Sequence, residues 1–150
     1  MTKPFEMTTL MRNGTAFLKT MLRAGVPMGP LALLSVRGRK SGKLYTTPVA
    51  LVKQNGERWL VAAFGEVNWV HNLRAAGEAQ LGRGRRNETI GVVELEAEDA
   101  APILQKFLKD FHLVPFIPPY FEATPQSPLS DFLHEAATHP VFRVVEAQPA

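Results

Sequence analysis

The 150-residue chain contains no cysteine. That excludes disulfides, thiolate metal ligands and a thiol nucleophile, and it suits a reducing compartment. No apolar run approaches the ~18 residues needed to span a bilayer. Residues 1–10 lack the basic stretch and long apolar block of a secretory signal. The expectation is therefore a cytoplasmic protein without stable membrane insertion. There is no Gly-x-Gly-x-x-Gly fingerprint, no Walker A loop and no Gly-x-Ser-x-Gly elbow. The four histidines are His71, His112, His134 and His139, and no two of them stand at the i, i+4 spacing of a helical metal site. No metal is assigned, and each histidine reads as structural or exposed.

What the chain does have is ordinary core material and a clustered charge. Hydrophobic residues make up 45% and charged residues 21%, which predicts one globular domain over residues 1–150. Lys and Arg number 17 against 14 Asp and Glu, an excess small enough for a solvated surface to explain. Yet Arg37, Arg39, Lys40 and Lys43 fall within seven residues, interleaved with Gly38, Ser41 and Gly42. A short turn of that composition can present backbone N–H groups and cations to one anion, with phosphate the obvious guest. The plain alternative is an exposed basic hairpin turn. A second cluster, Arg83, Arg85 and Arg86, raises the possibility of a nucleic-acid stripe. The acidic run Glu94, Glu96, Glu98 and Asp99 dilutes that field, and Trp59 and Phe64 read as sheet-facing. No nucleic-acid partner is expected.

Hydrophobic periodicity predicts a helix over about 6–23, in an N-terminal region of residues 1–24, followed by the breakers Gly25, Pro27, Gly29 and Pro30. Strands are expected at 31–36, 44–53, 57–64, 79–83, 88–96 and 141–145. Asn55-Gly56 marks a hairpin, and Pro48 within the second strand marks an edge or a bulge. Asn68 is placed as the cap of a helix over 69–76 that ends at Gly77. Further helices are expected at 99–111, with Pro102 in its first turn, and at 129–137. The segment 113–128, rich in proline and aromatics, reads as an ordered loop. Meandering strands with short links argue for a mainly β, α+β protein: about six antiparallel strands closed into a small barrel, flanked by helices, over 31–146.

Four motifs occur in order: Val36 to Lys43, Thr46-Thr47-Pro48, Ala62-Ala63-Phe64-Gly65, and Asn68-Trp69-Val70-His71-Asn72-Leu73-Arg74-Ala75. Together they resemble the deazaflavin (F420)-dependent nitroreductase family of the flavin/deazaflavin oxidoreductase superfamily, over residues 31 to 110. The resemblance implies a split β-barrel, often dimeric, that binds coenzyme F420. Relatives that bind FMN, haem, bilin or fatty acids leave FMN as the alternative cofactor. It implies that Arg39, Lys40 and Ser41 contact the cofactor's phosphate or acidic tail. Tyr45, Thr46, Thr47, Pro48 and Val49 would run along the ring, and Ala62, Ala63, Phe64 and Gly65 would line its edge. Asn68, Trp69 and Asn72 would close the site, Trp69 serving the core as well. Many members carry a lysine and a glycine-rich insertion where this chain has only Phe64-Gly65-Glu66-Val67. Tyr120 is the guessed counterpart of the family's aromatic gate.

The expected activity is hydride transfer from C5 of the reduced deazaflavin to an electron-poor small molecule: a quinone, an enone or a nitro compound. The cofactor carries the hydride chemistry, so no nucleophile is required. Ala62 and Ala63 would offer a flat ring a wall without bulk, with backbone groups free to bond its polar atoms. Tyr45, His71 and Tyr120 are the candidate proton donors. The alternative is a non-catalytic barrel that holds a lipid, haem or other ligand.

Overall fold

In the computed structural model, residues 31–83, 86–111 and 121–147 are described. The elements run β1 (Leu31–Arg37), β2 (Leu44–Gln54), β3 (Glu57–Val61), α1 (Asn68–Ala76), β4 (Glu78–Arg83), β5 (Arg86–Glu94), α2 (Ala97–Phe111), α3 (Leu129–Glu135) and β6 (Val141–Glu146). Every pairing is antiparallel, and the six strands close as β1-β2-β3-β6-β5-β4. The predicted N-terminal helix, residues 84 and 85, and the first half of the proline-rich loop lie outside the described residues.

Local chemistry accounts for the punctuation. Asn55 and Gly56 have φ of 53° and 80°, the two positive values of a type I′ turn, so β2 folds back on β3 through two residues. Gly77 ends α1 in the left-handed conformation, its N–H bonded to the Leu73 carbonyl. Pro48 lies opposite Leu33 of β1. The β3 register reaches only as far as Ala50–Val61. Residues 44–49 thus have no strand partner on that side among the described residues, and the missing proline N–H breaks no ladder there.

The barrel interior takes alternate residues from every strand, including Leu34, Val49, Leu51, Leu60, Leu81, Ile90 and Phe142, and α1 adds Val70 and Leu73. A second core lies outside, where Ala50, Val52, Trp59, Val61 and Val141 meet Leu104, Phe107 and Leu108 of α2 and Phe132 of α3. Burying each of Phe107, Phe132 and Phe142 completely contributes about 2–3 kcal/mol.

Several boundaries differ from the sequence expectation. β3 stops at Val61 rather than Phe64: the Ala62 N–H still bonds the Pro140 carbonyl in the β3–β6 register, but Pro140 has no N–H to return the bond, and the Ala63 N–H turns back to the Val61 carbonyl. β5 is displaced two residues toward the N-terminus at both ends. α2 starts at Ala97, so Pro102 lies beyond its first turn. It stays on the exposed face, where water can satisfy the carbonyl it leaves unpaired. Asn68 does not cap α1: Val67 occupies the cap position without a side-chain bond, and Asn68 is the first helical residue.

Candidate functional site

The loop between β1 and β2 is a closed hairpin. Gly38 N–H bonds the Lys43 carbonyl at 2.7 Å, and Gly42 N–H bonds the Gly38 carbonyl at 3.0 Å. Gly42 sits at φ 72°, a conformation glycine adopts without strain. A Cβ on Gly38 would stand 2.6 Å from the Tyr45 ring, so this glycine lets Tyr45 lie over the turn. The Tyr45 hydroxyl is 3.3 Å from Ser41 Oγ, which also accepts the Lys43 N–H. Thr46 shares a 2.7 Å hydroxyl contact with Ser35 on β1.

One side chain fixes this turn to the rest of the site. Asn72, buried on α1, accepts both the Arg39 N–H at 3.1 Å and the Arg39 guanidinium at 2.7 Å through a single oxygen, Oδ1. Arg37 donates to the Gly42 carbonyl at 3.0 Å. None of Arg37, Arg39, Lys40 and Lys43 pairs with a carboxylate among the described residues. Four positive charges therefore share one exposed turn without compensation. Arg58, Lys106 and Arg143 by contrast each meet a carboxylate, and Arg74 bonds Glu94 and Glu66, the Glu94 contact being the main cause of its upward pKa shift. Of the acidic run, Glu94 is thus engaged in an ion pair, while Glu98 and Asp99 occupy the first turn of α2.

Ala62 to Gly65 form a tight turn after β3. The Ala62 N–H bonds the Pro140 carbonyl, and its carbonyl accepts the Gly65 N–H at 3.1 Å and His139 Nδ1 at 2.9 Å. Both backbone groups of Ala62 are thus taken within the protein, contrary to the expectation that they face a ring. Ala62 itself is buried in the barrel interior, while Ala63, Phe64 and Gly65 are partly exposed. Trp69 packs partly buried against that interior, its ring 6.0 Å from Phe142, so its core role is real. Val49 lies in the same core. Lys40, Ser41, Tyr45 and Asn68 are exposed; Thr47, Pro48 and His71 are partly buried. Tyr120 lies outside the described residues.

The structure brings Arg39 to Asn72 and Ser41 to Tyr45, two bonded pairs on one turn. It links them through α1 to the 62–67 turn. A separate depression lined by Gln105, Lys109, Pro125, Gln126 and Ser127 contains none of these residues. Sequence reasoning missed the buried Glu135–His139 pair. Its four-residue separation was visible, but spacing alone does not show that the pair is buried against Ala62.

The structure is thus a six-stranded antiparallel barrel with a cationic turn beside a half-paired strand. A family model described as F420H(2)-dependent quinone reductase matches residues 9–111. The chain belongs to that family, and it is accordingly an oxidoreductase whose cofactor is coenzyme F420. Comparison with curated proteins finds no match. Among solved structures, one described as a domain-swapped dimer aligns with a TM-score of 0.56 at 20% identity, covering 86% of this chain and 94% of the other. An F420-H2 dependent reductase aligns at 0.53 and 22% identity, covering 77% and 93%. A conserved hypothetical protein from Mycobacterium tuberculosis aligns at 0.52 and 14% identity, covering 98% and 87%. At these identities the likeness establishes the shared fold. Among the described residues, no helix is long and apolar enough to cross a membrane.

Proposed function

We propose that this oxidoreductase reduces a quinone or another electron-poor acceptor, such as an enone or a nitro compound, with the cationic turn gripping the anionic part of F420. The observation that carries the reading is the unneutralised charge of Arg37, Arg39, Lys40 and Lys43 on a turn that Asn72 holds in place. The residues present fit an anionic ligand: charge-assisted bonds are about twice as strong as neutral ones, and no internal carboxylate among the described residues competes for them. Arg39, Lys40 and Ser41 would hold the phosphate or acidic tail. The half-paired stretch 45–49 and Ala63 to Gly65 would flank the ring, with Asn68 and Trp69 closing over it. The bound cofactor supplies hydride donation.

The chain's own part is to bind, orient and exclude water. Tyr45, half-exposed and steadied by Ser41, is the donor favoured for the product's proton; His71 and Tyr120 are the other candidates. The small-molecule acceptor would stack on the exposed face of the ring. A homodimer is part of this reading, supported by the structural neighbour described as a domain-swapped dimer. Residues 1–150 would act as a single domain.

Titration with F420 and with FMN tests the proposal. The wild-type chain should bind F420 in preference to FMN at micromolar concentration, then reduce a soluble quinone with F420H2. Lys40→Ala, which loses an exposed cation without a partner among the described residues, should weaken F420 binding about fivefold and leave Tm unchanged. A chain that binds F420 no better after the turn is intact than after all four cations are removed would overturn it.

A further inference from the structure

The one buried acid–histidine pair among the described residues lies beneath the Ala62–Gly65 turn, at the junction of α3 and β6. Glu135 and His139 are each 2% exposed, and neither belongs to the family-like motifs. His139 Nδ1 lies 2.9 Å from the Ala62 carbonyl, across 77 residues of sequence. A carbonyl only accepts, so the network assigns the proton to Nδ1. On the far side of the ring, Nε2 lies 3.6 Å from Glu135 Oε2, beyond hydrogen-bond distance, and that buried oxygen has no hydrogen-bond partner among the described residues. The other carboxylate oxygen accepts the Glu122 N–H at 2.9 Å. The imidazole stacks flat on Phe121, with 3.9 Å between ring centroids and planes 7° apart.

The neighbouring backbone adds to the grip. Pro140 carbonyl accepts the Ala62 N–H. Gly65 has φ +90°, and a Cβ there would stand 3.3 Å from the Thr138 carbonyl. Residues 138–140 thus meet the turn at Ala62 N–H, Ala62 carbonyl and Gly65. Burying an acid and an imidazole is costly when apolar residues would fill the space. What the pair provides is direction: it fixes one carbonyl, and so the course of the chain from β3 into α1.

We infer that His139 and Glu135 are positioning residues for the cofactor site, setting the Ala62–Gly65 turn against the ring from outside the barrel. This rests on the proposed reading in which that turn lines the ring edge. Glu135 packs against the far edge of the imidazole, His139 holds the Ala62 carbonyl, and the surface from Ala63 onward is presented to the ligand as a fixed wall. The anion-binding turn at 38–43 shares none of these bonds, so grip and alignment are separable.

The test uses the full chain with His139→Leu, His139→Asn and Glu135→Gln. Readouts are F420 affinity, the absorbance spectrum of bound F420, kcat and KM, and amide exchange at Gly65 in the ligand-free protein. His139→Leu should lower kcat about tenfold or more through misalignment. It should also shift the bound spectrum and speed Gly65 exchange, while changing F420 affinity less than about threefold. His139→Asn, which keeps a donor opposite the Ala62 carbonyl, should recover most of the spectrum and of kcat. Glu135→Gln should fall between. Folded variants with wild-type kcat, spectrum and Gly65 exchange would overturn the inference. If His139→Leu does not fold, wild-type values for both remaining variants overturn it equally. A wild-type chain that binds no F420 sinks the cofactor reading itself, whereas normal binding with silent variants sinks only this inference.

Discussion

Asn72 is the place where the stability of the site and its charge can be pulled apart. Its Oδ1 accepts two bonds from Arg39, at 3.1 and 2.7 Å, and its side chain is buried while Arg39 remains exposed. Asn72→Ala removes both bonds. The guanidinium regains water, so the loss is near the ordinary net value of about 1 kcal/mol per bond, about 2 kcal/mol in all. For a domain of this size that lowers Tm by about 4–8 °C. Asn72→Asp keeps an acceptor at the same position and makes the two bonds charge-assisted, which offsets the cost of burying the charge. Tm should then stay within about 3 °C of wild type. The new carboxylate, however, cancels one of four uncompensated cations. At ~8 Å and an effective dielectric of ~40, one unit charge acts on another by about 1 kcal/mol. F420 affinity should therefore fall about fivefold per phosphate or carboxylate charge felt, and the effect should shrink at high salt. Differential scanning fluorimetry gives the first quantity and fluorescence titration at two ionic strengths gives the second. Unaltered F420 affinity in Asn72→Asp would refute the claim that the turn's charge holds the cofactor. Unaltered Tm in Asn72→Ala would refute the claim that Asn72 anchors the turn.

Other outcomes can be checked alongside. Gly91→Ala places a Cβ 2.8 Å from the Glu146 carbonyl, a backbone atom that must shift, so the β5–β6 seam should weaken by about 1–3 kcal/mol; a urea melt indistinguishable from wild type would contradict this. Gly38→Ala should displace the Tyr45 ring, 2.6 Å from the new Cβ, and change Tyr45 fluorescence with little loss of Tm. Glu88 is held below its ordinary 4.5 chiefly by its hydrogen bond from Arg58. A carboxyl lowered on folding contributes stability above its unfolded value and loses it as pH falls through the folded one. The pair is exposed, so Glu88→Gln should cost at most about 0.5 kcal/mol at pH 7, and wild type and variant should converge in acid.

Much of the architecture could be read from local chemistry. The Asn55-Gly56 hairpin and the Gly77 stop are written in residues whose backbone preferences act over two or three positions. The half-paired stretch of β2 was signalled by Pro48, which no central strand accommodates. What local chemistry does not carry is partnership at a distance. Nothing in β3 announces that Val61 pairs with Val141, or in β1 that Leu34 pairs with Leu81; those contacts arise from closing the barrel. The same limit explains the end of β3. Ala62 to Phe64 continue an apolar run, but the partner opposite Ala62 is Pro140, which has no N–H to return, and the Ala63 N–H turns back to Val61. In the candidate site, the cationic turn and Asn72 were both visible as motifs. Their bond, which spans 33 residues, and the grip of His139 on Ala62 were not.

Four successive residues of β2, Val49 to Val52, are all buried, because odd and even positions face different apolar layers. The strand is a party wall between two rooms. Neither the barrel nor its helical annex can be opened without exposing the other's masonry, so the two should melt together in one transition. A small molecule that binds on either side of that wall would then raise the melting temperature of the whole, and a thermal-shift screen would sense ligands at both.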